Sequence, residues 1–205
     1  MQCSNTLTVK NRLKENKNKL LHKSIDWILQ DSQYLSWRDA NNVCLLWIKS
    51  DASKEKTMML IDLIERLSLS QDKFIVMTYF FCQNANYELN ILEAIIKSLI
   101  LQLVNQQQKL KESLQRRWDT KNARFSENVI SWQTLWNIFL EMLKYCKCQR
   151  VYVIVNAFDE CQDDGMIDFL KRFVWTRLHH SSKIKWLLTS WSLNSVEREL
   201  LAESD

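Results

Sequence analysis

Four short apolar runs, separated by segments with helical spacing, constrain this chain more than any other feature. They are Val43–Ile48, Phe74–Tyr79, Val151–Val155 and Ile184–Thr189. Only the last is broken, by Lys185. Runs without polar alternation suit parallel strands covered on both faces, because a one-sided strand would show polar residues at every second position. Between them, Leu60, Leu63, Ile64 and Leu67 share one face of a helix following residue 57. Leu92, Ile95, Ile96, Leu99 and Leu103 do the same across 88–104, and Trp132, Leu135, Trp136, Phe139, Leu140 and Leu143 across 131–145. Ile167, Leu170, Phe173 and Val174 mark a fourth helix, and a short one around Ile25–Leu35 precedes the first strand. Strands alternating with helices predict an α/β fold with a mainly parallel sheet. The polar stretch 105–128 reads as a helix extension followed by a surface excursion. Val196–Leu201 starts a helix that no further strand follows, so the domain, spanning 24–205, is expected to be cut short at its C-terminal end.

Turn chemistry is the weak point of this plan. The 205 residues include one glycine, Gly165, and no proline, where ordinary usage gives about 14 and about 10. Collagen-like, Gly/Ser-linker and Pro-rich chains are excluded, and any site that needs backbone at positive φ, or close against a phosphate, is expected to suffer. Charge is uneven. Residues 1–23 carry six basic side chains against Glu15, leaving the rest near neutral in a total of +4. This segment reads as a flexible, solvated basic arm rather than a nucleic-acid contact. The N-terminus has no apolar stretch of the signal-peptide kind. Ile91–Val104 is interrupted by Glu93, Lys97 and Gln102 and falls short of the ~18 residues of a membrane span. Six cysteines (3, 44, 82, 146, 148 and 161) form no C-x-x-C pair. Cys146 and Cys148, far in sequence from His179 and His180, make a poor zinc signal, so reduced thiols in a cytoplasmic protein are expected.

Three strand ends carry residues suited to phosphate chemistry. The first strand runs into Ser50-Asp51-Ala52-Ser53-Lys54-Glu55-Lys56-Thr57, after which a helix begins. A phosphate loop places G-x-x-x-x-G-K-[ST] in this setting: backbone N–H groups cradle phosphates, the lysine reaches the β- and γ-phosphates, and the hydroxyl holds Mg²⁺. Lys56 and Thr57 are in place, whereas Ser50 and Glu55 stand where the glycines belong. The third strand ends in Asn156-Ala157-Phe158-Asp159-Glu160, where acidic groups can hold the Mg²⁺ shell and orient an attacking water. The fourth ends in Thr189-Ser190-Trp191-Ser192, a place for a residue that senses the γ-phosphate.

Together these stretches resemble the NACHT domain of STAND-type P-loop NTPases, particularly fungal NLR-like forms with a nephrocystin-type N-terminal domain. Trp27-Ile28-Leu29, Trp37-Arg38, Leu45–Lys49 leading into Asp51-Ala52, Lys56-Thr57, Val155–Cys161 and Leu187–Ser190 carry the resemblance, which covers roughly residues 24 to 200. It implies a three-layer P-loop sandwich that binds ATP or GTP with Mg²⁺, held by residues 50–57. Thr57, Asn156 and Asp159 would lie at the metal, Asp159 and Glu160 would serve hydrolysis, and Thr189, Ser190 and Trp191 would occupy the sensor position. Family members read GDAGKGKT, DALDEC and TSRP where this chain has SDASKEKT, NAFDEC and TSWS.

Glu55 is the gravest departure. Like charges at ~4 Å cost about 4 kcal/mol at an effective dielectric of 20, nearly three decades of affinity. Asn156 keeps an oxygen but loses the charge that attracts Mg²⁺, and Trp191 replaces a cation. Each of these changes can arise by a single C-to-T or G-to-A transition, the pattern of a gene copy damaged by repeat-induced point mutation. The expectation is a degenerate NACHT domain with weakened nucleotide binding and lost hydrolysis. Alternatives are a non-enzymatic module whose tryptophan-rich surface pairs with intact relatives, an inactive relic, and an intact ATP- or GTP-dependent oligomerisation switch.

Overall fold

The computed structural model describes residue 11 and residues 26–49, 54–69, 75–84, 90–107, 109–110, 131–161, 164–179 and 182–191. The basic arm, most of the 111–130 excursion and Val196–Leu201 lie outside them. Four strands form one sheet: β1 (Leu45–Lys49), β2 (Ile75–Phe81), β3 (Arg150–Asn156) and β4 (Ile184–Ser190), in the order β1-β4-β3-β2 and parallel throughout. Six helices accompany them: α1 (Asp26–Gln30), α2 (Ser32–Asp39), α3 (Lys54–Leu69), α4 (Leu92–Gln106), α5 (Trp132–Tyr145) and α6 (Met166–His179).

Every residue of β4 is buried, and in β3 all but Arg150. Both faces of the sheet are therefore covered, as the unbroken apolar runs require. On one face Trp37 of α2 packs on Tyr152 with ring centroids 5.4 Å apart. On the other, Trp186 meets Trp136 and Phe139 of α5 and Phe173 of α6 at 5.8, 6.2 and 4.8 Å. Tyr152 and Trp186 take opposite faces because Val153, the neighbour of Tyr152, pairs with Trp186. The result is an α/β three-layer sandwich. Most of the described tryptophans build this core rather than a surface. Trp37, Trp132, Trp136 and Trp186 are buried, while Trp27 and Trp191 are exposed.

The short first helix divides in two. Asp31 is extended and its carboxylate accepts from the N–H groups of Gln33 and Tyr34, capping α2 and ending α1. Helix α3 begins at Lys54, three residues before Thr57, in a segment with no glycine to hold the chain open. Lys185, the one charge inside β4, is fully buried and donates to the carbonyls of Ala40 and Val43. Burial pushes its ammonium pKa down. No described helix is long and apolar enough to cross a membrane.

The open edge of β2 is closed by side chains. Gln102 of α4 accepts from the Tyr79 N–H at 3.1 Å and donates to the Tyr79 carbonyl at 2.7 Å. One turn on, Gln106 does the same for Met77 at 3.0 and 2.6 Å. Two primary amides at i and i+4 thus act as a surrogate neighbouring strand, and an uncovered edge of this kind would be a template for association. Replacing both by Leu removes four hydrogen bonds. The Gln102→Leu/Gln106→Leu variant should lose about 2–4 kcal/mol in urea unfolding and self-associate in light scattering. Unchanged stability and size would refute this role.

Candidate functional site

Parallel pairing puts the carboxyl ends of all four strands on one side of the sheet, the side where open α/β sheets bind ligands. Lys49 pairs with Ser190, and Asn156 with Phe81. The polar residues that end β3 and β4 are buried there together with Lys56.

Asn156 is the hub. Its amide nitrogen donates to Thr57 Oγ1 at 3.2 Å, and its Oδ1 accepts from Thr189 Oγ1 at 2.8 Å. Thr189 Oγ1 in turn accepts the Ala157 N–H at 2.9 Å. This orientation of the amide uses each hydroxyl once in each sense: with one lone pair taken by Ala157, the buried Thr189 places its proton on Oδ1. Lys56 Nζ reaches the Ser190 carbonyl at 3.4 Å. Thr57 and Lys56 arrive from the first turns of α3, so β1's following helix, β3 and β4 converge on one cluster.

Ala157 has φ 51° and ψ 49°, the one non-glycine residue at positive φ among those described. A left-handed alanine costs about 1–2 kcal/mol. It turns the chain from β3 into a 3₁₀ turn, Phe158–Glu160, anchored by the buried Phe158. Asp159 Oδ1 accepts the Trp191 N–H at 3.0 Å, and Glu160 Oε2 accepts the Asn84 N–H at 2.7 Å. The two carboxylates therefore tie the ends of β4 and β2 to that of β3. Beneath them burial pushes the Cys82 thiol well up, with Cys161, Glu160 and Asp159 adding to the effect.

Of the residues expected at the site, Lys56, Thr57, Asn156, Asp159, Glu160, Thr189, Ser190 and Trp191 fall at this end of the sheet. Ser50, Asp51, Ala52 and Ser53 lie outside the described residues, and Lys54 and Glu55 are described only as backbone opening α3. Trp191 occupies the sensor position with its ring half exposed. Two contributors had no signal in the sequence. Trp47, read as a plain strand residue, donates from Nε1 to Ser190 Oγ at 2.8 Å, and Lys49 lies over its ring at 4.7 Å. Asn84 acts through its backbone, which composition cannot reveal.

Two fits must be separated. Lys56 and Thr57 near a helix N-terminus suit phosphate oxygens. The metal position is different. A carboxylate at 156 would accept the Thr57 proton and turn both hydroxyl lone pairs outward. The Asn156 amide instead donates to Thr57, engages one of those lone pairs and brings no negative charge. A hard cation wants oxygen ligands and charge, and this arrangement does not fit one.

The family model for nephrocystin 3, N-terminal, matches residues 23–191. The vegetative incompatibility protein HET-E-1 of Podospora anserina is 32% identical over 193 residues, 93% of this chain. The chain spans only 14% of that relative's length. The Aeropyrum pernix ORC1 protein, solved in complex with DNA, matches 82% of the chain with 43% of its own at 12% identity. Its TM-score of 0.43 is too low to build on. With the matched model extending across the sheet and its polar strand ends, the chain belongs to the nephrocystin 3 N-terminal family and is a NACHT-type P-loop domain.

Proposed function

We propose that this chain is a NACHT-type nucleotide-binding signalling domain in which ATP or GTP binding is weakened and hydrolysis is lost. The observation that carries it is the amide of Asn156 donating to Thr57 Oγ1 at 3.2 Å. Lys56 supplies positive charge and Thr57 a hydroxyl for phosphate. Nothing at 156 supplies the negative charge that would hold Mg²⁺ beside them. Glu55 adds a like charge to the approaching phosphates, and Trp191 brings no cation to the γ-phosphate.

Asp159 and Glu160 serve the turn in this proposal. Each carboxylate accepts a backbone N–H from another strand end, so they persist as structural braces after their chemistry is gone. The chain would work in the cytoplasm as part of a STAND-type assembly, pairing with intact relatives rather than turning over nucleotide itself. Membership of a family found inside a much longer relative supports this placement.

Titration with labelled ATP should give a Kd weaker than about 10 µM, with no phosphate release. Binding tighter than that, abolished by Lys56→Ala, would overturn the proposal. Restoring glycine at 50, 53 and 55 together should tighten binding by a factor of about 100 or more, given the ~4 kcal/mol attached to Glu55 alone. Asn156→Asp in that glycine-restored chain should then add a dependence on Mg²⁺ concentration that the parent lacks. Identical Mg²⁺ titrations for the two chains would show that residue 156 does not control the metal.

A further inference from the structure

The other end of the sheet holds a feature that the nucleotide reading does not use. Helix α5 ends at Tyr145, and the next residue, Cys146, closes it by donating its N–H to the Met142 carbonyl at 2.8 Å. Two residues on, Cys148 turns back, so that the two sulfurs lie 3.2 Å apart. Cys146 is buried and Cys148 half-buried. Lys183, just before β4, donates from Nζ to the Cys146 carbonyl at 2.9 Å, while its own carbonyl accepts from Val151 at the start of β3. Both thiols are thus held against the entry to the two central strands.

We propose that Cys146 and Cys148 form a peroxide-oxidisable dithiol, a modification site in which Cys148 attacks and Cys146 resolves. Three observations support these roles. The separation of 3.2 Å leaves about 1.2 Å to close to a disulfide bond of about 2.05 Å. Access is asymmetric, since the half-buried Cys148 can meet a small oxidant that the buried Cys146 cannot. Ionisation is asymmetric in the same sense. The Cys146 S–H, with help from the Lys183 ammonium and against the effect of burial, brings Cys148 down to about 7, while the same hydrogen bond pushes Cys146 up. A metal is the poorer occupant, for among the described residues no group of three or more His, Cys, Asp or Glu stands together.

The chemistry balances in two steps. The Cys148 thiolate attacks one oxygen of hydrogen peroxide, the O–O bond breaks, hydroxide leaves, and a sulfenic acid forms on Cys148. The Cys146 sulfur then attacks the Cys148 sulfur, its proton goes to the departing hydroxyl, and water leaves as the S–S bond forms. Two thiols lose two electrons and the peroxide takes them up. An external dithiol reverses the modification by thiol–disulfide exchange.

The full-length reduced chain, treated with one equivalent of hydrogen peroxide, blocked with iodoacetamide and digested, supplies the test. The peptide carrying both residues should lose two hydrogens and take no label. Cys44, half-buried with its thiol directed at the Asn41 carbonyl, should remain labelled. Cys148→Ser should form no such bond, and Cys146→Ser should accumulate a sulfenic acid on Cys148 that dimedone captures. The proposal fails if the pair stays fully labelled at a dose that oxidises Cys44. It also fails if dimedone marks Cys148 of the Cys146→Ser chain no more than Cys44.

Discussion

The Asn156 side chain holds the working end of this molecule together. Its amide spans the gap between Thr57 on α3 and Thr189 on β4, with the Ala157 N–H closing the circuit. Because all three groups are buried or nearly so, each polar atom must be matched, and an unmatched one would cost about 1–3 kcal/mol. The network meets that requirement internally. A carboxylate in the same position would leave negative charge buried against two hydroxyls and would call for a cation. The neutral amide satisfies the hydroxyls and calls for none. A fold built around a metal–phosphate site can thus keep its geometry after its charge is removed, which is why the strand ends still converge.

The acidic turn follows the same logic. Asp159 and Glu160 would be costly neighbours if they served only an absent reaction. Here each carboxylate takes a backbone N–H, from Trp191 and Asn84. Those bonds join β3 to its neighbours on either side, β4 and β2. The strained Ala157 is the cost of that arrangement, and the bonds around it offset the strain.

The fold was legible because its strongest signals are collective. Four apolar runs and their helical spacers give parallel strands and layers regardless of any single residue. What was not legible came from lone polar residues inside apolar segments, whose partners are distant in sequence. Gln102 interrupts a hydrophobic helix and in isolation only excludes a membrane span, yet it caps Tyr79 of β2. Lys185 looks like a defect in β4 and instead holds the carbonyls that follow α2. Asp31 splits one expected helix into two by capping the second. At the site, the residue types at 56, 57, 156, 159 and 160 could be picked out in order, but not the direction of the Asn156–Thr57 bond, which decides the metal chemistry. The glycine deficit was legible in count only. Among the described residues the fold uses positive φ once, at Ala157, and Gly165 does not need it.

Whether the strand-end cluster satisfies itself or requires a cation is best decided by the Mg²⁺ dependence of nucleotide affinity in the unaltered chain. Equilibrium dialysis of labelled ATP would be run once with excess Mg²⁺ and once with excess EDTA. A neutral hub at Asn156 predicts the same weak affinity in both. Affinity that falls tenfold or more in EDTA, about 1.4 kcal/mol of metal-linked binding, would contradict it.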